Sequence, residues 1–374
     1  MNRVLSYILV VTFSYSCFAA TYYVNGITGR DHYDGKTKAK PFKTISRALI
    51  AVRGSDEIII EGRQGNKDIV YYESLMLDKG KFSLKITGEN NPTMDGSKFP
   101  NDSIPLISRY CGIYISSNLV VVDGLNIRNF IYEGDDTTGV YGAGIYCEPG
   151  TMKNTFVNLT IENCNWGVYL DGNSLAKLDN LTVKSVESAD NGNAGIGICI
   201  MPGGSGIENN IIGSDKGNTI IGAERYGISF GRKGEVAFAD NTAISKNVLQ
   251  DCGLAGLIIY DIEGIAAISQ NTFQSNKIAL IIAGMPIDTR ISNNLFAGSE
   301  SDSEIETFSD YDGFLLYDIW QRNGNKFSIP TYAAVSKDEL KEEVIIGKSG
   351  GFIRNSIDAA QEDAGKENIV KKRE

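Results

Sequence analysis

The sequence predicts an all-β solenoid of parallel strands, and three observations predict it. A Gly-apolar-x-apolar tetrad recurs at Gly112, Gly144, Gly167, Gly195, Gly227 and Gly256, with Ala279 replacing glycine in a seventh copy. A second pattern, apolar-x-x-Leu/Asn-x-apolar, follows each tetrad, starting at Val122, Phe156, Leu178, Ile207, Ile244, Ile268 and Ile291. Copies return every 22 to 37 residues. A unit of that size buries its apolar face only against its neighbours, so the units must stack.

Taken in order, residues 1–20 read as a secretory signal. Arg3 precedes an apolar run over 4–13, and Cys17-Phe18-Ala19-Ala20 offers small residues for cleavage before Thr21. Ser14 stands where a lipoprotein signal would place a Leu-like residue, which disfavours anchoring at Cys17. The chain is thus expected outside the cytoplasm: secreted, periplasmic or at the cell surface. No later segment is apolar for long enough to span a bilayer. Tyr22-Tyr23-Val24 is a strand. Pro41 then opens a spacing of Phe42, Ile45, Ala48-Leu49 and Val52 that predicts a three-turn amphipathic helix capping the open end of the stack. Residues 57–61, 69–77 and 84–87 are the first strands.

Within the repeat, one coil holds three strands: the tetrad, the partner pattern, and a third starting at Ile161, Val183, Ile212, Leu249, Phe273 and Phe296. The fourth position of the partner pattern reads Leu125, Leu159, Leu181, Asn210, Asn247, Asn271 and Asn294. Equivalent residues of a parallel stack lie about 4.8 Å apart. The four asparagines therefore predict a structural ladder of side-chain amides at a buried turn. Asn158 and Asn180 open Asn-x-Thr sequences that read as parts of repeat strands. The solenoid is expected over 21–330, with 308–318 as a last irregular coil. Residues 331–374 form a C-terminal cap, with a closing helix over 336–343 and a frayed tail carrying nine charges in 358–374.

Composition narrows the partners. With 46 acidic against 36 basic residues and a net charge of −10, the chain lacks the basic balance that nucleic acid or an anionic membrane requires. Past the signal five cysteines remain, an odd number without CxxC spacing, which reads as buried thiols rather than disulfides or a zinc site. His32 is the single histidine, so Ser-His-Asp catalysis and multi-His metal sites are disfavoured.

Three stretches carry a resemblance: Gly29, Asp31, Asp34-Gly35, Lys40-Pro41-Phe42, Ile45 and Ala48; Ile86-Thr87-Gly88-Glu89 to Met94-Asp95-Gly96; and Leu-Val-Val-Val-Asp-Gly-Leu-Asn-Ile-Arg-Asn ending at Asn129. The chain resembles secreted right-handed parallel β-helix proteins of the pectate-lyase-like superfamily. The resemblance implies a right-handed coil and a groove beside the tetrad sheet. It leaves the activity open among lyases, hydrolases, epimerases and non-catalytic surface proteins.

Strand alternation turns the tetrads into a map, with positions two and four inward. Position three, facing solvent, reads Tyr114, Tyr146, Tyr169, Gly197, Ser229, Ile258 and Ile281. The next outward column reads Ser116, Glu148, Asp171, Cys199, Gly231, Tyr260 and Ala283. Gly197-Ile198-Cys199-Ile200 fits the tetrad as well as Gly195 does, so the fourth coil has two registers. Tyr114, Tyr146 and Tyr169 read equally as an exposed sugar platform, joined by Tyr260, or as a stacking ladder that stabilises the sheet. Glu148 and Asp171 on adjacent coils would bind a divalent cation, share a proton, or stand as solvated charges. Longer loops at 131–143, 185–194, 213–226 and 231–243 flank the tetrads and carry Glu133, Asp135, Asp136, Glu187, Asp190, Arg225, Arg232 and Lys233.

The leading expectation is a monomeric polysaccharide lyase cleaving a uronic-acid glycan by β-elimination. Ca²⁺ on Glu148, Asp171 and Asp136 would neutralise the substrate carboxylate, and Arg225, Arg232 or Lys233 would act as base or contact that carboxylate. The alternatives are a non-catalytic glycan-binding β-helix and a glycoside hydrolase. Gly134-Asp135-Asp136 is similar to one polygalacturonase motif, but the companion Asn-Thr-Asp, Gly-His-Gly and Arg-Ile-Lys motifs are missing.

Overall fold

The computed structural model describes residues 19–98, 105–134, 139–173, 175–187, 194–202, 209–232, 235–260, 262–264, 266–283 and 289–299, and beyond these the backbone of five strands between residues 303 and 372. Among the described residues three large sheets, one of twelve strands and two of ten, wind around an apolar core, with every pairing parallel except the last two of the twelve-stranded sheet. The twelve-stranded tetrad sheet contains Ile113–Ile115, Ala143–Cys147, Trp166–Asp171, Ile196–Met201, Tyr226–Phe230, Ala255–Ile259 and Leu280–Ile282. Its second positions stack in one line: Ile113, Ile145, Val168, Ile198, Ile228, Leu257 and Leu280. The fourth coil therefore takes Gly197 as its tetrad glycine, not Gly195.

Close approach explains the glycine column. A Cβ on Gly112, Gly144, Gly167, Gly197 or Gly227 would lie 2.2–2.8 Å from the carbonyl oxygen of the next glycine in the column. On Gly256 it would lie 2.9 Å from the Ala279 oxygen. From the inside, the third strand of the coil closes the same space: Val183 Cγ1 would be 2.6 Å from a Cβ on Gly167. These glycines do not need positive φ; they need the missing side chain.

The asparagine ladder exists with one member exchanged. Asn218, Asn247 and Asn271 each donate from Nδ2 to Oδ1 of the next asparagine at 2.9–3.0 Å, and the ladder ends at Asn294. The same amides also donate to the carbonyls of Leu178, Ile212 and Ile244. Asn210, expected in this column, instead caps a different corner, accepting from Ala176 N and donating to Asn173 O. The cause is a shifted register in the fourth coil. Ile212, not Ile207, aligns with Leu178 and Ile244, and Ile220 takes the third-strand place expected for Ile212. The extra residues at 214–217 wrap the Asp179 carboxylate with four backbone N–H donors, which hold its pKa down against the opposing effect of burial.

Other expectations need correction. The cap helix α1 runs only over Ile45–Ala51 and is capped by Thr44, whose hydroxyl accepts from Arg47 N. Pro41 precedes it because Phe42 first bridges to Val24 and fills the end of the core. Asn158 and Asn180 sit in left-handed turns between strands, at φ of 56° and 58°, and not inside strands. A second short helix, α2 (Leu106–Tyr110), had no sequence signal. Glu342 and Glu343 begin a strand, Glu342–Ile346, paired antiparallel with Thr331–Val335 and Val370–Lys372, so the closing helix does not extend that far. The signal segment before residue 19 and the coil at 308–318 lie outside the described residues. Cys111, Cys147, Cys164, Cys199 and Cys252 are buried free thiols, as expected.

Gly167→Ala should lower the unfolding free energy by about 1–3 kcal/mol through forced separation of two rungs. Asn247→Ala should cost roughly 1–3 kcal/mol for each partner left unpaired, the Ile212 carbonyl and the Asn218 amide. Urea denaturation checks both; midpoints equal to the parent protein would refute the close-approach and ladder accounts.

Candidate functional site on the outer face of the tetrad sheet

Register brings the expected column together. Tyr114, Tyr146 and Tyr169 occupy successive rungs with ring centroids 5.7 and 5.6 Å apart. The column is not exposed, however. Tyr146 and Tyr169 retain 5% and 3% of their accessible surface. They belong to a second apolar cluster outside the coil, with Trp166, Ile196 and Cys199, against which Ile107 of α2 and Val140 pack. Trp166 meets Tyr169 edge-on at 5.0 Å. Gly139, at φ +73°, lies so close to the Tyr169 ring that a Cβ would overlap it. The described end of the loop expected to border a groove, Gly139 and Val140, thus lies against the tyrosine cluster. Stacking is what the rings do; their faces do not form the expected sugar platform.

Two of the three rings, Tyr114 and Tyr146, instead offer their hydroxyls to carboxylates. Tyr114 donates to Glu148 Oε1, and Tyr146 donates to Asp171 Oδ2 at 3.2 Å. Each bond steps diagonally from one rung to the carboxylate of the next. Glu148 and Asp171 do lie on adjacent rungs, about 4.8 Å apart along the stack. Burial raises the pKa of Asp171, the Tyr146 hydroxyl and the field of Arg232 pull it back, and Glu235 adds to the rise. Burial, then the Asp171 charge, push the Tyr146 phenol far above its ordinary range, so it acts as a donor.

Arg232 leaves the sheet just after Gly231, whose φ of +86° turns the chain outward. It is exposed and pairs with Glu235 at 3.3 Å. Arg225 lies over the Tyr226 ring at 5.2 Å. Tyr260, hydrogen-bonded to Tyr226, is pushed up to about 12 by burial. It stands on the Glu148 and Asp171 column but three rungs beyond Asp171, past Met201 and Gly231, and so is not part of the tyrosine stack. Asp136 and Lys233 lie outside the described residues.

Calcium requires six to eight oxygen ligands. Among the described residues no three acidic, cysteine or histidine groups gather as a metal site, and two of the three expected carboxylates, Glu148 and Asp171, already hold a tyrosine hydroxyl. The described residues alone do not fit the ion. Sequence reasoning missed Trp166, Tyr226 and Glu235. The first two immediately precede a tetrad glycine, where strict alternation predicts an inward side chain, so parity could not have marked them.

Residues 143–300 match the family model described as the right handed beta helix region. The fold is a right-handed parallel β-helix. The structure is similar to that of the GH136 lacto-N-biosidase from Eubacterium ramulus, with TM-score 0.50 and 14% identity, covering 78% of this chain and 59% of that one. This β-helix chain thus spans less than two thirds of the lacto-N-biosidase. It is also similar to a rhamnogalacturonan lyase (TM-score 0.48, 12% identity, 85% and 87% covered) and to pectate lyase Pel9A (0.48, 15%, 79% and 79%). Comparison with curated proteins finds no match. Among the described residues no helix of the β-helix protein is long and apolar enough to cross a membrane.

An acid whose pKa is higher in the folded than in the unfolded chain favours folding while protonated. Its contribution is complete below the ordinary aspartate pKa and is lost as pH rises through the raised value. Asp171→Asn should abolish that loss. Tyr146→Phe removes a bond that favours the carboxylate, so the Asp171 midpoint should move up further. Carbon-13 NMR titration of labelled aspartate checks this, and a midpoint lowered in Tyr146→Phe would contradict it.

Proposed function

We propose that this protein binds a uronic-acid polysaccharide along the outer edge of the tetrad sheet and cleaves it by β-elimination. The observation that carries this reading is Asp171: a half-buried carboxyl with a raised pKa, bonded to Tyr146, within the field of the exposed Arg232. An exposed ion pair such as Arg232–Glu235 is worth only about 0–1 kcal/mol, so a substrate carboxylate can replace Glu235 on the guanidinium. Neutralising that carboxylate acidifies the C5 proton. Glu148, one rung from Asp171, takes the proton; the C5–H electrons form the C4–C5 double bond as the C4–O bond breaks. Asp171, whose proton affinity burial raises, delivers a proton to the leaving oxygen. No step is routed through a metal.

One observation favours a second reading. Two carboxyls on neighbouring rungs also suit glycoside hydrolysis, with Asp171 as acid and Glu148 facing the sugar from the same strip. The products separate the two, because elimination leaves an ultraviolet-absorbing unsaturated end and hydrolysis does not.

Polygalacturonate, alginate and glycosaminoglycans should be assayed for ultraviolet-absorbing product and for reducing ends. With a cleaved polymer, Asp171→Asn should lower kcat by about 10²-fold or more, and Arg232→Gln should mainly raise KM. Reducing ends without absorbance would establish hydrolysis. Binding without any product would leave a glycan-binding protein.

A further inference from the structure

The tyrosine column does not stop at Tyr114. The strand Leu75–Leu77 pairs with Ile113–Ile115, which places Met76 next to Tyr114 on the same outward line. Met76 lies in the floor of a cleft of about 1010 Å³ between α1, residues 72–78 and α2. The proposed chemistry at Asp171 and this cleft are therefore on one face, with Met76 three rungs, about 14 Å, from Tyr169. Several sugar rings would span that stretch.

The cleft differs from the tyrosine stack in two respects. First, Tyr72 in its wall keeps 38% of its surface exposed, where Tyr146 and Tyr169 are covered. Second, its charge is opposite to that of the whole chain. Lys43, Lys81 and Lys98 line it, while the net charge of the chain is −10. The two acids in the lining are engaged locally: Glu73 accepts from Ile45 N, Ser46 N and Ser46 Oγ, and Asp78 accepts from Gly80 N. Lys81 is likewise held, donating to Leu49 O and Val52 O. Lys98 stands 6.0 Å from the centre of the Tyr72 ring. Among the described residues no ion pair engages Lys43 or Lys98.

An apolar floor, an accessible aromatic ring and two cations without anionic partners among the described residues match the chemistry of a sugar bearing a carboxylate. The ring takes an apolar sugar face and the ammonium groups take the acid. We propose that this cleft is a distal subsite for an anionic glycan, holding one end of a long chain while another part lies at Asp171. This rests on the site described above and adds to it: the substrate is a polymer, it is negatively charged, and it is gripped at the capped end of the coil.

The test uses the full chain carrying Asp171→Asn, so that binding is read without turnover, with and without Lys43→Gln and Lys98→Gln. The probes are polygalacturonate, alginate and carboxyl-reduced polygalacturonate, measured by calorimetry at low and high salt. Expected are salt-sensitive binding of an acidic polymer, weaker binding of the reduced polymer, and an affinity loss of about tenfold in the lysine variant, the scale of one charge-assisted hydrogen bond. Equal binding of acidic and reduced polymers, an unchanged affinity in the lysine variant, or no binding to any probe would each overturn the subsite. If the parent protein cleaves these polymers but the lysine variant binds like its Asp171→Asn background, the subsite fails alone. If the parent protein proves inactive while the lysine dependence holds, the elimination reading fails and the subsite stands.

Discussion

A close backbone contact repeated from rung to rung governs this fold. Where each of the six glycine tetrads begins, a single methyl group would strike the carbonyl of the neighbouring rung, while the third strand presses from inside, as at Val183 or Ile220. The glycine column is therefore where coil cross-section and sheet spacing are set together. It keeps the tetrad sheet in unbroken register across seven tetrads, and that register places one phenol above another. Without it, Tyr114, Tyr146 and Tyr169 would not stack, and the first two would not present their hydroxyls in line to Glu148 and Asp171.

Around that constraint the coil solves two polar problems in different ways. At the buried corner, Asn218, Asn247, Asn271 and Asn294 pass hydrogen bonds from rung to rung and satisfy turn carbonyls at the same time. Where the fourth coil inserts extra residues, the backbone itself does the work, closing around Asp179. On the outer face the arrangement is layered. Trp166, Ile196 and the tyrosine rings form a dry strip under α2 and Val140, and only the next column carries charge. A carboxyl at the boundary between the two, Asp171, is the one whose proton affinity rises.

Periodicity made the architecture legible: three strands per coil, the parallel pairing, the inward thiol of Cys147 and the adjacency of Glu148 with Asp171 were all readable from spacing. The fourth coil was misread because an insertion at 214–217 let Asn210 imitate a ladder position that belongs to Asn218. Burial of the tyrosines was not readable, since strand parity shows which side of a sheet a residue faces but not what a distant loop lays over it. For the same reason α2 and the lysine-lined cleft stayed hidden, being assembled from segments that share no repeat. The cap helix was shortened by a local preference, the bridge of Phe42 to Val24, that helical spacing cannot reveal.

The five free thiols among the described residues have a use beyond packing. Burial raises their pKa values, to about 12 at Cys164 and Cys252, so the native protein should be inert to alkylating agents. They are distributed along the stack from Cys111 near its capped end to Cys252 five rungs further on, and each rung holds only to its neighbours. The order in which a thiol-trapping reagent modifies them would therefore record from which end the spring uncoils, without any label being introduced.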